Sequence, residues 1–385
     1  MMRYGTNFSS ARGGSVAPIW TAGQSVKKAP EPNSKGEHVM RSLKTTIALS
    51  AVVAVGAVAQ SHSASAAEVT LRMANWAGTA HHMYHYTLPL WFEEVKKQTN
   101  GRIDIVYDKV MLTKAQGLYD LARDGVRDIA WSNGSINPGR FELTRFGEVP
   151  YGSTNATSGS KVIDAWYRKK HKLYEREMPD VHFMFAWQPG PGMIHTKKRI
   201  NSMEDLKGLK LRATSGDVII SQALGATPVT IQVTQAYEAL SRGTIDGTFF
   251  PMEGIHSFRL VKLVNYHLKQ PGAGLYSSTF YAVMNPKSWD GLSADLKEAF
   301  QRAIEKGPEI IGGGWDEFDR RSGEEAKANG NTIYAISKEE AERWRKTIYD
   351  HGLVDEIVGR AEKAGNKDAR ELMDDLLKMY QAVGS

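Results

Sequence analysis

Past residue 67 the chain alternates between two apolar rhythms. Val69, Leu71 and Met73 fall on every second position, as on one face of a strand over 68–73. Ile103, Ile105 and Tyr107 repeat that pattern and predict a strand over 102–107. Between them a helix is expected over about 80–99, stopped by Asn100-Gly101. Pro89 lies inside it and should kink or split it, because proline removes an N–H and clashes with the preceding turn. Leu118, Leu121 and Ala122 form one stripe of a helix over 112–123, and 128–131 reads as a short buried strand. The order β-α-β-α-β belongs to an α/β layer with parallel pairing.

The middle of the chain repeats the style. Strands are expected over 181–187, 209–212, 228–232, 248–250 and 277–284. Helices are expected over 217–224, ended by Gly225, and over 234–242, ended by Gly243. Gln188-Pro189-Gly190-Pro191-Gly192 suits no regular element and reads as a crossing between two bodies. From Ala294 the pattern is helical, with breaks expected at Lys306-Gly307-Pro308 and at Gly312-Gly313-Gly314. A last strand over 332–335 precedes helices over 338–351 and 368–382.

The first 67 residues read differently. Residues 1–39 show no apolar period and are expected to be a non-native or disordered extension. Met40-Arg41-Ser42-Leu43-Lys44 is a short cationic start, followed by an uncharged run over 45–60 and the small-residue site Ala64-Ser65-Ala66-Ala67. That order predicts a signal peptide over 40–67 and a periplasmic product, with translation starting at Met40. The run is shorter than a membrane span needs.

The leader changes the charge picture. Of 49 Lys+Arg and 43 Asp+Glu in 385 residues, it holds seven bases and two acids, so the remainder is nearly neutral. A nucleic-acid partner, which needs a basic excess in the folded part, is not expected. With no cysteine, thiolate metal sites, disulfides and cysteine nucleophiles are excluded.

Candidate chemistry is sparse. No phosphate-binding glycine loop follows a strand, and no G-x-S-x-G elbow occurs. His81 and His85 have i,i+4 spacing with His82 beside them, but spacing indicates no third ligand, so no metal and no cofactor is expected. Arg212 ends an apolar strand and precedes the small turn Ala213-Thr214-Ser215-Gly216, the place where α/β sheets hold ligands. A carboxylate clamp and a surface ion pair both fit that position. Trp76, Trp131 and Phe250 sit at strand ends and suit a cleft wall, although one of the three can be plain core.

Asn201-Ser202-Met203-Glu204-Asp205-Leu206-Lys207-Gly208-Leu209-Lys210-Leu211-Arg212 resembles the signature stretch of the solute-binding proteins of TRAP (tripartite ATP-independent periplasmic) transporters, the DctP family. Leu224-Gly225-Ala226-Thr227-Pro228, Tyr237-Glu238-Ala239-Leu240, Gly243-Thr244-Ile245-Asp246-Gly247 and Met284-Asn285-Pro286 follow in the family's order. The resemblance implies a type II-like two-lobed α/β protein with mixed sheets, joined by crossing strands and a long helix. Its lobes would comprise 68–189 with 276–315, and 190–275 with 316–385.

The resemblance also implies function: not an enzyme, but a receptor that closes on a small organic acid and delivers it to TRAP membrane subunits. Arg212 matches the family's carboxylate-gripping arginine. Trp76, Lys114 or Ala115, Asn133, Gly216 and Phe250 fall on other pocket positions, and Trp131 is expected to contact the ligand as well. Sialic-acid-binding members carry a second arginine where this chain has Gly190 to Gly192. They carry an asparagine where it has Phe250, and a polar residue where it has Trp76. The expectation is a monocarboxylate with an apolar or aromatic body. An ABC-type binding protein and a secreted hydrolase are the alternatives.

Overall fold

The structure, a computed structural model, describes residues 67–214 and 216–384. The extension over 1–39 and nearly all of the leader expected over 40–67 lie outside the described residues.

The strands are β1 (Val69–Asn75), β2 (Ile103–Met111), β3 (Ile129–Asn133), β4 (His182–Trp187), β5 (Met193–Thr196), β6 (Lys210–Arg212), β7 (Thr227–Val229), β8 (Gly247–Phe250), β9 (Tyr266–Lys269), β10 (Phe280–Met284) and β11 (Thr332–Ala335). They form two mixed sheets, in the orders β2-β1-β3-β10-β4 and β11-β9-β5-β8-β6-β7. β1 pairs in parallel with β2 and β3, as the β-α-β-α-β pattern requires. β10 enters between β3 and β4, antiparallel to both.

The helices are α1 (Leu88–Gln98), α2 (Leu118–Arg123), α3 (Ala156–Asp164), α4 (Tyr174–Glu177), α5 (Gly216–Ala223), α6 (Ala236–Ser241), α7 (Glu253–Ser257), α8 (Pro286–Asp290), α9 (Ala294–Ala328), α10 (Lys338–Asp350), α11 (Leu353–Lys363) and α12 (Ala369–Gly384). Pro89 splits the first helical stretch as expected. A π-helical turn, Met83–Thr87, leads into α1, whose first turn holds the proline where its missing N–H costs nothing. The segment 188–192 carries the chain from β4 in the first sheet to β5 in the second.

The breaks expected in the long C-terminal helix do not occur. α9 runs unbroken for 35 residues with Pro308 inside it. Its glycines serve packing instead. A Cβ on Gly307 would lie 2.6 Å from the Phe185 ring, and one on Gly312 would lie 2.7 Å from the Thr157 backbone. α9 thus packs against α1, α3 and β4 beside the first sheet, and against α7 and β11 beside the second. Close backbone approach at these points offsets the poor helix propensity of glycine.

The first sheet's core is aromatic. Trp91, Trp131, Trp187, Phe185 and Phe300 are all buried there. The Trp91 indole N–H donates to the Ala303 carbonyl (2.9 Å), which ties α1 to α9 and satisfies that buried donor.

Candidate functional site

β6 ends on Arg212 because Leu211 and Ala213 are both buried, one on each side of it, and fix the strand under α5. The guanidinium is 3% exposed. Among the described residues it donates to three neutral oxygens: the Ile231 carbonyl (3.4 Å), the Phe249 carbonyl (3.3 Å) and Thr214 Oγ1 (3.1 Å). Among the described residues no carboxylate lies within ion-pair distance of it. Burial pulls its pKa down, against the pull of Asp217 and Tyr276 in the other direction. A buried cation with only neutral partners is costly, and an anion brought beside it recovers much of that cost.

Phe250 forms the floor. Arg212 Cζ sits 4.9 Å from its ring centroid, and Phe258 stacks on it at 5.2 Å. Asp217, one residue into α5, is buried, and burial raises its carboxyl to about 8 despite Arg212. Gly216 opens α5, where a Cβ would meet Glu148 Oε2 at 3.5 Å.

The other expected residues lie on the first sheet. Trp76 packs 5.2 Å from Trp131, and its buried indole N–H has no hydrogen-bond partner among the described residues. Trp131 is fully buried, and its own N–H donates to the Tyr107 hydroxyl (2.8 Å), so it backs Trp76 rather than offering a polar group. The Asn133 side chain accepts from the Ser135 N–H (2.8 Å) and caps the turn after β3. Lys114 is exposed, while Ala115 is half-buried and its carbonyl accepts from Ser132 Oγ at 3.5 Å.

Reading the sequence alone missed the residues that fill Gly190 and Gly192. A Cβ on Gly190 would lie 1.6 Å from Asp319 Oδ2, and one on Gly192 would lie 2.1 Å from the Tyr276 ring. Burial raises Asp319 to about 7 and Tyr276 well above its ordinary value. The Tyr276 hydroxyl feels Asp217 and Arg212 as well as Glu253 and Asp319, so these five side chains share one electrostatic neighbourhood. The signal available in the sequence was the pair of glycines, which require something large opposite.

A separate surface groove of about 510 Å³ is lined by Ser135, Glu142, Arg145, Gln222 and Arg360 among others, and Arg212 is not among them. Arg145 is clasped there by Glu142 (3.1 Å) and Glu148 (3.2 Å), so its charge is met within the protein by two carboxylates.

The family sequence model for bacterial extracellular solute-binding proteins, family 7 (DctP), matches residues 73–351. The chain belongs to this family. It is therefore related to transporter receptors, and the family is not one of enzymes. The structure of a TRAP solute-binding protein from a marine metagenome, in complex with 3-hydroxybenzoate, is 28% identical, covering 83% of this chain and 100% of that one with a TM-score of 0.76. Another, from Rhodoferax ferrireducens with copurified benzoate, is 29% identical, covering 82% and 98% with a TM-score of 0.75. The C4-dicarboxylate-binding periplasmic protein DctP of Rhodobacter capsulatus is 25% identical over 285 residues, which is 72% of this chain and 84% of that protein. Among the described residues no helix is long and apolar enough to cross a membrane.

Proposed function

We propose that this DctP-family protein captures an aromatic monocarboxylate in the periplasm and hands it to TRAP membrane subunits. The observation that carries the reading is Arg212, buried, bonded among the described residues to neutral oxygens and lying on the Phe250 ring. A carboxylate can take both edges of the guanidinium in a bidentate pair, while the ligand's ring packs against Phe250 and Phe258. Trp76 supplies an apolar wall with one free N–H. Asn133 and Gly216 add short polar contacts. Lys114, being exposed, adds attraction for an anion rather than a buried contact.

The relative from Rhodobacter favours a second reading, a C4-dicarboxylate. A second buried carboxylate needs a second buried cation. Where a further arginine would stand, this chain has Gly190 with the Asp319 carboxyl against it, so that position supplies an acid and not the cation a second carboxylate needs. The monocarboxylate reading is preferred on that ground.

Thermal denaturation against benzoate, 3-hydroxybenzoate, mandelate, succinate and sialate tests the choice. A ligand at 100 times its dissociation constant adds about 2.7 kcal/mol. Stabilisation by an aromatic acid and not by succinate supports the proposal, and the reverse order overturns it.

A further inference from the structure

His81 and His82, adjacent in sequence, meet Glu253 from a distant part of the chain in the interior. They are 5%, 0% and 2% exposed, and one ligating atom from each lies within 4.8 Å of the others. His82 Nδ1 bonds Thr87 Oγ1 at 2.8 Å. With that proton donated to the hydroxyl, Nε2 presents a bare lone pair. It has no hydrogen-bond partner among the described residues and lies 3.4 Å from Glu253 Oε2. The same oxygen already accepts from Ser257 Oγ (2.7 Å), which orients the carboxyl. In that tautomer two acceptors face each other in a dry interior, a place for a cation between them, either a shared proton or a metal ion.

We propose that His81, His82 and Glu253 form a binding site for a zinc-like transition-metal ion. Two imidazoles and a carboxylate are a donor set that zinc favours over calcium or magnesium. With metal–ligand bonds of 2.0–2.2 Å, neighbouring ligand atoms of a tetrahedral site stand roughly 3.3 Å apart. The His82–Glu253 separation already matches this. Both groups are oriented from behind, by Thr87 and Ser257, as metal ligands usually are. The surrounding wall is aromatic: the His82 ring lies 4.4 Å from Trp315 and 4.9 Å from Phe318. His81 is the ligand that must adjust. Its Nδ1 accepts from the Met83 N–H at 3.2 Å, so its ring proton sits on Nε2 and must shift before that nitrogen can ligate.

The two histidines follow β1 of the first sheet, and Glu253 opens α7 just after β8 of the second. A bound ion would therefore tie the two sheets together next to α9. Sequence spacing could not show this, because the third ligand comes from a different part of the chain.

The test uses the full protein, freed of metal with a chelator and titrated with Zn²⁺ alone, with no carboxylic acid present. Its outcome is thus independent of the acid-binding reading. Calorimetry should show one saturable ion per chain, and the melting temperature should rise with Zn²⁺. Glu253→Gln, which keeps the shape and the Ser257 contact, and His82→Phe should each weaken binding at least tenfold. His81→Ala should weaken it less, and His256→Ala, at the exposed pair with Glu325, should leave it unchanged. Co²⁺ in place of Zn²⁺ should give a visible absorption band that Glu253→Gln abolishes. Absence of saturable binding, or binding indifferent to both Glu253→Gln and His82→Phe, would establish a shared proton only and overturn the proposal.

Discussion

The guanidinium of Arg212 lies 4.9 Å over the ring of Phe250, so a charge and an apolar face are presented side by side at one strand end. The charge can hold a carboxylate and the ring can pack what the carboxylate is attached to. Neither partner alone would distinguish an aromatic acid from any other anion.

Arg212→Ala should abolish most acid binding. Removing one partner of a buried charged pair costs about 2–5 kcal/mol, a weakening of roughly 30-fold or more. Titration calorimetry with benzoate or 3-hydroxybenzoate reads this directly, and near-normal affinity in a folded variant would remove Arg212 from the site.

Phe250→Asn should redirect preference. Losing the buried ring forfeits about 1.5–3 kcal/mol of apolar contact with an aromatic ligand. The new amide provides hydrogen bonds that a hydroxylated or sugar acid can use. The ratio of benzoate to sialate affinity should fall in competition binding; an unchanged ratio would show that Phe250 does not touch the ligand.

Affinity for acids should decline as pH rises past about 8. Burial holds the Asp217 carboxyl protonated up to about that pH. Below it, the field of Arg212 is left for the ligand; above it, ionised Asp217 competes for the same cation. The same shift sets a stability trend. The folded state holds this proton more tightly than the unfolded chain, so its contribution falls as pH rises from about 4 to about 8. Asp217→Asn should flatten both profiles, which melting curves and titrations at several pH values would show.

Gly190→Ala should destabilise the protein by about 1–3 kcal/mol through collision with the Asp319 carboxyl. The double variant Gly190→Ala with Asp319→Ala should recover part of the loss. Equal melting temperatures for the single and double variants would mean that the collision is relieved some other way.

Much of this was legible in the sequence, for identifiable reasons. Period-two apolar runs marked β1 and β2, a continuous apolar run marked β4, and a polar turn after a short strand marked Arg212. β5 and β9 were not legible, because four residues such as Met193–Thr196, next to a Gly-Pro-Gly run, carry too little pattern. Pro308 and the three glycines misled in the opposite direction. They look like helix breakers, yet in α9 the glycines are where other backbones and rings come closest. Tyr276, Asp319 and Glu253 were missed because their relevance depends on contacts with residues about 60 to 170 positions away, which no local spacing encodes.

The placement of β10 bears on how the chain can be made and moved. It sits between β3 and β4, so until Met284 has been synthesised those two strands have no partner between them. The second sheet likewise waits for β11. Neither half can therefore finish folding early, and the nascent chain stays without a completed sheet for most of its synthesis. For a polypeptide led by the export signal expected over 40–67, that delay is useful. A translocation pore passes unfolded chains, and strands that pair late suit a chain that must stay unfolded until it crosses.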